Sequence, residues 1–402
     1  TVSVDGVGGI GGNGVNVGYG STVASTGGDV TLTGRGTDWT AEMPVASIFS
    51  QTGVDISSNA SVAAGGDVRI TGTGGNLDAM RQSADFAEEG RSAGRSNGVF
   101  IGGNVTAGDG RRIDITGKAG GAGFTANLDA GGGIVITPDG SSAWGVQVST
   151  DAGQPNALRT DGGTVAIDAQ GTDVSLRVNS FSDFQALDAA PSANAAPPTD
   201  ALVSVASSTG KGGSISVRGR NVVVDGVDFG GGDKLVARLD ASGATGGGSI
   251  DIAATGAIAI GASASLDASA TNTGNGGSVK VVAGDALRAY GTFSARGGAA
   301  GGNGGFVETS GAQFDLAGVR VDASAPVGSV GSWLIDPFDV DIVSGVATGS
   351  LTGNPFDPIA TSTIQDGDIN AALNAGTSVT IGTGSTGSPL LGDIHMSNAK
   401  GA

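Results

Sequence analysis

The chain has 402 residues and a formal net charge of −18, from 20 basic and 38 acidic side chains. This balance argues against nucleic acid as a partner, because that binding depends on Lys and Arg neutralising phosphates. The absence of cysteine excludes disulfides and thiolate metal ligands. Glycine supplies 77 residues and aromatic residues only 4%, which predicts a narrow aliphatic core rather than the wide core of an ordinary globular domain.

The first half of the chain contains short strand-like phrases that recur at uneven distances. A Gly-Val-x-Val or Gly-Val-x-Ile phrase begins at Gly14, Gly53, Gly98 and Gly145. Their offsets are 39, 45 and 47 residues, and the alternation of apolar and polar residues predicts strands with one buried face. The extra length lies in insertions at 37–51 and 76–94, and the second insertion contains a short helix predicted at 80–89.

The second half repeats more regularly. A Gly-rich phrase that opens a strand begins at Gly247, Gly276, Gly304 and Gly331, with offsets of 29, 28 and 27 residues. A second phrase begins at Leu239, Leu266, Phe293 and Val321, with offsets of 27, 27 and 28 residues. Two separate phrases therefore agree on a unit that holds three short strands.

Such a unit cannot bury its inner face alone, but stacked units bury it continuously. We therefore predict an all-β fold, a right-handed parallel β-helix (solenoid) with three short strands per coil, loop insertions and one or two short helices.

Four segments follow from this pattern. Residues 1–181 are predicted as a loosely repeating β-helix with long corner insertions, and 182–200 as a Pro/Ala-rich exposed loop. Residues 201–346 are predicted as a regular β-helix with 27–29-residue units, and 347–402 as an insertion with a short helix followed by resumed strands. The helix is predicted at 368–376, with Asp368 as its N-cap and Gly376 as its terminator.

Parallel β-helices can also hold carbohydrate-active enzymes, which use paired carboxylates. The candidates are Asp336, Asp339 and Asp341, with the last two expected on one strand face and Asp336 at a bend before Pro337. A solvated acidic face is the favoured interpretation. The single histidine, His395, has no evident partner in the sequence, so a catalytic triad is not expected.

Other candidate sites are weaker. Asp366 and Asp368 lie in an acidic Gly-containing turn that resembles half a calcium loop, and an ordinary turn is the favoured interpretation. No other cofactor is indicated. Asn59 and Asn104 match the N-glycosylation acceptor pattern. Trp39, Trp144 and Trp333 are candidates for stacking on sugars, although Trp333 lies in a strand-like run and is expected in the core.

The phrase Gly-Gly-Asn-Gly-Gly-Phe-Val-Glu-Thr-Ser-Gly at 301–311 resembles a recurrent phrase of two-partner-secreted exoproteins, the group of filamentous haemagglutinin and the high-molecular-weight adhesins. The stretches 321–326, 331–340 and 369–381 resemble further phrases of the same group. The similarity covers roughly residues 247–381 and marks five structural residues, Gly304, Gly305, Trp333, Asp336 and Pro337.

This resemblance implies a secreted or outer-membrane surface protein of a Gram-negative bacterium, exported with an outer-membrane transporter partner. It also implies attachment to host cells, glycans or abiotic surfaces and a role in biofilm formation. The family's secretion domain carries an Asn-Pro-Asn-Gly phrase. The nearest stretch here, at 96–103, lacks the proline and lies within the repeats, so we interpret the chain as an internal stalk segment.

The leading functional hypothesis is therefore a non-enzymatic structural and adhesive exoprotein stalk. One alternative is a self-assembling extracellular matrix fibre, a homopolymer joined through open strand edges. The second alternative is a carbohydrate-active enzyme, which requires two or more carboxylates near a basic side chain in a cleft.

Overall fold

The computed structural model describes residues 1–9, 12–38, 51–78, 82, 87, 92–93, 96–121, 124–129, 134–138, 143–151, 157–179, 202–230, 233–383 and 393–397. The chain divides into two compact units. The first comprises 1–108, 112–149 and 166–175, and the second comprises 109–111, 150–165 and 176–402. The helix predicted at 80–89, the loop at 182–200 and Trp39 lie outside the described residues, apart from the single residues 82 and 87.

The described elements are mostly short strands. Up to residue 204 they are β1 (Val2–Val7), β2 (Val15–Val17), β3 (Thr22–Ser25), β4 (Val30–Arg35), β5 (Val54–Ile56), β6 (Ser61–Ala64), β7 (Val68–Thr73), β8 (Ser92–Ala93), β9 (Val99–Ile101), β10 (Asn104–Thr106), β11 (Arg112–Lys118), β12 (Phe124–Leu128), β13 (Ile134–Pro138), β14 (Val146–Asp151), β15 (Leu158–Arg159), β16 (Thr164–Asp168), β17 (Val174–Asn179) and β18 (Val203–Ser204).

From residue 214 onward the elements are β19 (Ser214–Gly219), β20 (Val222–Asp225), β21 (Val227–Gly230), β22 (Asp233–Leu235), β23 (Ala237–Asp240), β24 (Ser249–Ala254), β25 (Ile258–Ile260), β26 (Ala264–Asp267), β27 (Ser278–Ala283), β28 (Ala286–Ala289), β29 (Thr292–Ser294), β30 (Phe306–Gly311), β31 (Gln313–Asp315), β32 (Arg320–Asp322), β33 (Ser332–Pro337), β34 (Val340–Val343), β35 (Thr363–Gln365), helix α1 (Asp366–Asn374), β36 (Ser378–Ile381) and β37 (Ile394–Ser397).

Three long sheets contain almost all of these strands. The first sheet has the order β1-β4-β7-β11-β16-β19-β24-β27-β30-β33-β36. The second has the order β2-β5-β9-β14-β17-β20-β25-β28-β31-β35-β34-β37, and the third β3-β6-β10-β15-β18-β23-β26-β29-β32. Successive coils contribute one strand to each sheet, which confirms the prediction of an all-β parallel β-helix with three strands per coil.

Strand register in the first unit confirms the uneven offsets predicted for the first half. In the second sheet Val15 pairs with Val54, Val54 with Val99, and Val146 with Val99, all in parallel strands. Val54 and Val99 are fully buried. The same apolar phrase therefore supplies each coil with its inward side chains, and the additional residues between the phrases do not disturb the register.

In the second unit the strand register confirms the offsets of the phrase that begins at Leu239. It shortens the last offset of the phrase that begins at Gly247 by one residue. In the third sheet Leu266 pairs with Phe293 and Phe293 with Val321, as their offsets predicted. In the first sheet Phe306 pairs with Ser332, so the last offset is 26 residues and not 27. Because strand side chains alternate between faces, this register directs Trp333 into the core, where it is fully buried beside Val307.

Glycines form columns where consecutive coils approach most closely. A Cβ atom on Gly304 would collide with the carbonyl oxygen of Ala323, and one on Gly305 with the carbonyl oxygen of Gly277. The equivalent Gly247 and Gly276 meet the carbonyl oxygens of Ala268 and Ala295 in the same way. The Gly-Gly phrase is thus a steric requirement of the corners before β24, β27 and β30.

Asparagine and aspartate side chains tie neighbouring coils together at the corners. In the first unit the Oδ1 of Asp29 accepts a hydrogen bond from the amide of Asp67 at 2.9 Å, and the Oδ1 of Asp67 accepts one from the amide of Arg112 at 3.0 Å. In the second unit Asn275 accepts from the amide of Asn303 at 2.9 Å. These bonds satisfy backbone donors where the strand ladders stop.

The last described coils depart from the simple winding order. Strand β35 follows β34 in the chain but lies between β31 and β34 in the second sheet. Helix α1 follows and contacts β32, the last strand of the third sheet. The helix begins at Asp366 with Gln365 as N-cap, two residues earlier than predicted, and Asp368 lies buried in its first turn. Gly376 follows the helix with a φ of 89°, a conformation that favours glycine.

Candidate functional site

The outer face of the first sheet in the second unit is organised in rows that run from strand to strand. One row is a serine ladder, in which Ser249 pairs with Ser214 and Ser278 on either side, and Ser332 pairs with Ser378. The hydroxyl of Ser249 donates to that of Ser214 at 2.9 Å. Small hydroxylated side chains in this row leave the face flat and polar.

Phe306 interrupts the serine ladder, because it stands in register between Ser278 and Ser332. The ammonium of Lys280 lies 5.4 Å from the centroid of its ring. Beside the ring the next row contains Glu308, which pairs with Lys280 on one side and Leu334 on the other. We call Lys280, Phe306, Glu308, Leu334 and Asp336 the mixed patch.

On this face the charged side chains outside the mixed patch form an ion pair, whereas the mixed patch holds two carboxylates and one lysine. Arg218 forms an ion pair with Asp251 at 3.4 Å, and Lys280 forms one with Glu308 at 3.5 Å. Glu308 also accepts a hydrogen bond from the hydroxyl of Ser310 at 3.1 Å. Asp336 stands in register with Ser310, diagonally opposite Glu308. Partial burial, and then the negative charge of Glu308, raise the pKa of Asp336 above its ordinary value.

The three carboxylates proposed from spacing do not share one face. Asp336 lies on the first sheet, whereas Asp341 lies in β34 of the second. Asp339 is exposed just before β34, and its Oδ1 accepts a hydrogen bond from the amide of Asp393 at 2.8 Å. The predicted bend before Pro337 was wrong by a residue or more, since β33 includes Pro337 and the chain bends at 338–339.

Two other carboxylates have raised pKa values, and they also lie apart. Burial raises the pKa of Asp55, against hydrogen bonds from Ser57 and Asn13. Burial raises the pKa of Asp225, against the positive charge of Arg177. Asp55 belongs to the first unit and Asp225 to the second. Each carboxylate therefore has its own local partners.

The candidate calcium ligands are engaged with protein groups. Asp366 accepts a hydrogen bond from the amide of Gly345 at 2.7 Å. Asp368 accepts one from the amide of Gly318 at 2.8 Å and forms an ion pair with Arg320 at 2.6 Å, with its own side chain fully buried. Within the described ranges, no group of three or more His, Asp or Glu side chains is arranged to hold a metal ion.

The remaining sequence candidates fall in three different environments. Trp333 is fully buried and donates from Nε1 to the hydroxyl of Thr309 at 3.0 Å, and Trp144 is 8% exposed, so neither presents a ring to solvent. Asn59 is an exposed corner residue with a φ of 59°, and Asn104 opens β10, which pairs with β6. His395 is exposed, 3.9 Å from Asp393, so it has a neighbour that the sequence did not suggest.

The sequence did not lead us to expect that Lys280, Phe306 and Glu308 lie together. The signal was present, because aligning the Gly-Gly phrases sets Phe306 against Ser249 and Ser278. The sequence also did not predict an Arg–Asp column on the third sheet, where Arg238 forms ion pairs with Asp240 at 3.0 Å and Asp267 at 3.1 Å.

Comparison with known proteins gives no assignment: no family model matches the chain, and no curated protein matches it. Among the residues that the structure describes, no helix is both long enough and apolar enough to cross a membrane.

Proposed function

We propose that this chain is a segment of a non-enzymatic, secreted or surface-attached exoprotein stalk that mediates attachment. The single observation that carries the proposal is the way its polar side chains are used. Asparagine and aspartate bind the backbone of the next coil, and ion pairs on the outer faces, such as Arg218–Asp251 and Lys280–Glu308, join one coil to the next. In a protein built this way each coil is stabilised by the coils beside it, which suits an extended stalk.

The sequence phrases that resemble two-partner-secreted exoproteins support an extracellular location. In this proposal the chain is exported through an outer-membrane transporter and is displayed by a Gram-negative bacterium. Its partners are host-cell, glycan or abiotic surfaces. The acidic net charge of −18 favours solubility and disfavours nucleic acid.

Bead retention tests this proposal. Beads coated with the purified chain are washed over host cells, polysaccharide-coated glass and plain glass, with heat-denatured chain as the control. We expect retention on at least one surface that depends on the folded state. The same polysaccharides, incubated with the soluble chain, are assayed for new reducing ends and unsaturated products, and none are expected.

Three results would contradict the proposal. Retention no better than that of denatured chain on every surface would remove the attachment role. Release of saccharide products would instead support a carbohydrate-active enzyme. Concentration-dependent filaments in electron micrographs, without retention, would support the matrix-fibre alternative.

A further inference from the structure

The mixed patch differs in side-chain composition from the rest of the outer face of the first sheet in the second unit. Five of the six register positions in one row hold serine, and the remaining position, between Ser278 and Ser332, holds Phe306. Val282, in the row beyond Lys280, is 37% exposed, and Leu334 is half-buried. An aromatic ring on an otherwise hydroxylated, charge-paired sheet face, with Leu334 in the next row and Val282 in the row after that, requires an explanation beyond coil stacking.

Charge is also unbalanced at this place. Lys280 is paired with Glu308, with 47% and 19% of the two side chains exposed. Asp336 adds a second carboxylate next to Glu308, and no ion pair joins it to a cation within the described residues. The patch therefore has one negative charge more than its own lysine neutralises, and a ligand cation beside Asp336 would remove the repulsion.

We propose that the mixed patch binds an extracellular polysaccharide that contains protonated amino sugars. One sugar ring packs its C–H face on Phe306 and Leu334, and the ammonium group of a neighbouring sugar in the same chain pairs with Asp336, which lies four residues along β33 from the position opposite Phe306. Sugar hydroxyls bond with Ser278 and Ser332, which flank the ring in the same row. The inference deepens the proposed attachment function, on which it rests, by naming the class of ligand.

A saccharide fits this face better than a basic peptide. Strand β30 is paired on both sides, with β27 and β33, so a peptide has no strand edge to join here. The face is part of a sheet with small serine side chains on either side of the ring, which leaves room for flat sugar rings. The net charge of −18 attracts a polycation and repels acidic polysaccharides.

The test uses Phe306→Ser, because serine occupies the register positions on both sides and the substitution restores the ladder. Binding of a glucosamine hexamer to the full chain is measured by calorimetry below the pKa of the sugar amine. We expect saturable binding that weakens about tenfold in Phe306→Ser and in Asp336→Asn, a change of about 1.4 kcal/mol. Asp251→Asn, on the same face outside the patch, is expected to bind like the wild type.

The fully acetylated hexamer separates charge from stacking, and we expect it to bind more weakly than the glucosamine hexamer. Equal affinities in wild type and Phe306→Ser, no binding by the wild type, or tighter binding of a polylysine peptide that Phe306→Ser leaves unchanged would each overturn the inference. Bead retention that persists in Phe306→Ser would overturn the inference alone. Loss of retention by the wild type on all surfaces would instead overturn the proposed function.

Discussion

At the scale of single residues, the Arg320–Asp368 pair joins a helix to a strand through a buried carboxylate. The carboxylate of Asp368 is fully buried, while Arg320 remains about half exposed. Besides this ion pair, Asp368 accepts the amide of Gly318 at 2.8 Å. The pair attaches the first turn of α1 to the last strand of the third sheet.

Arg320→Ala is expected to destabilise the second unit by about 3–5 kcal/mol, because it leaves a buried carboxylate without its cation. Asp368→Asn is expected to cost less, since an amide oxygen can still accept from Gly318 and no charge remains buried. Hydrogen exchange of α1 amides measures the effect locally. Equal protection of α1 in wild type and Arg320→Ala would contradict this assignment.

Asp336 predicts a pH dependence of stability. Its pKa is raised in the folded state, so the folded chain binds its proton more tightly than the unfolded chain, and stability falls as pH rises from the ordinary pKa of 3.8 through the raised value. Asp336→Asn should therefore be more stable than wild type at neutral pH and no different below the ordinary aspartate pKa. Urea unfolding at both pH values measures this; a neutral-pH loss of stability would refute it.

Residue roles were only partly predictable. The alternation around Trp333 predicted its burial, because strand faces are determined by local sequence. The partner of Asp368 is 48 residues away, and no local pattern connects the two side chains. Asp368 was assigned as the helix N-cap because aspartate is a common capping residue, although it lies inside the first turn.

At the scale of elements, the glycine columns determine how closely coils stack. Gly304→Ala is expected to destabilise the second unit by about 1–3 kcal/mol, since its Cβ would collide with the carbonyl of Ala323 in the next coil. Gly382→Ala is the matched control, because a Cβ there meets no atom within 4 Å. Thermal unfolding compares the two. Equal thermal unfolding midpoints for the two variants would contradict the steric role of Gly304.

The segment before β35 is fixed to the outer side of the second sheet by Arg288. Its guanidinium donates to the carbonyls of Pro355 at 3.1 Å and Asp357 at 2.6 Å. Ile359 packs with Ala257 and Ala286, and Phe356 packs against them.

Burial, and then the hydrogen bond that Tyr290 donates to Asp315, raise the pKa of Tyr290 above its ordinary value.

Arg288→Ala should release the segment before β35, because hydrogen bonds to charged groups contribute about 1.5–3 kcal/mol each. We expect chymotrypsin to cleave after Leu351 or Phe356 at least about tenfold faster than in the wild type. Arg218→Ala, which removes only an exposed ion pair, should not change cleavage. Cleavage sites are read by mass spectrometry, and an unchanged rate in Arg288→Ala would disprove the role of this arginine.

Element order was predictable wherever each coil follows the last. Repeat offsets gave the pairing of Leu266 with Phe293 and of Val54 with Val99, because apolar phrases mark inward strands. They missed the position of β35, whose pairing with β31 and β34 depends on a connection that returns along the sheet. The one-residue error at Gly331 arose because that phrase has one glycine where the others have two.

At the scale of the whole molecule, each coil pairs its strands with those of the coils on either side. Ser214 pairs with Ser249, so one coil spans 35 residues at this point, including the β21–β22 hairpin. Such coils should be removable without loss of the stack, since a solenoid's stability is approximately a sum over units and their interfaces. The mixed patch lies outside this coil.

The proposed stalk function is therefore tested most directly by the bead retention of a chain that lacks residues 218–252. This deletion of 35 residues matches the register offset and joins Val217 to Ala253, which keeps inward and outward positions alternating. A deletion of 218–251 joins Val217 to Ile252 and sets two inward residues in sequence, so it serves as the control. We predict wild-type retention for the first variant and loss for the second. Loss of retention in the first variant, with its coils still folded, would contradict a stalk of interchangeable coils.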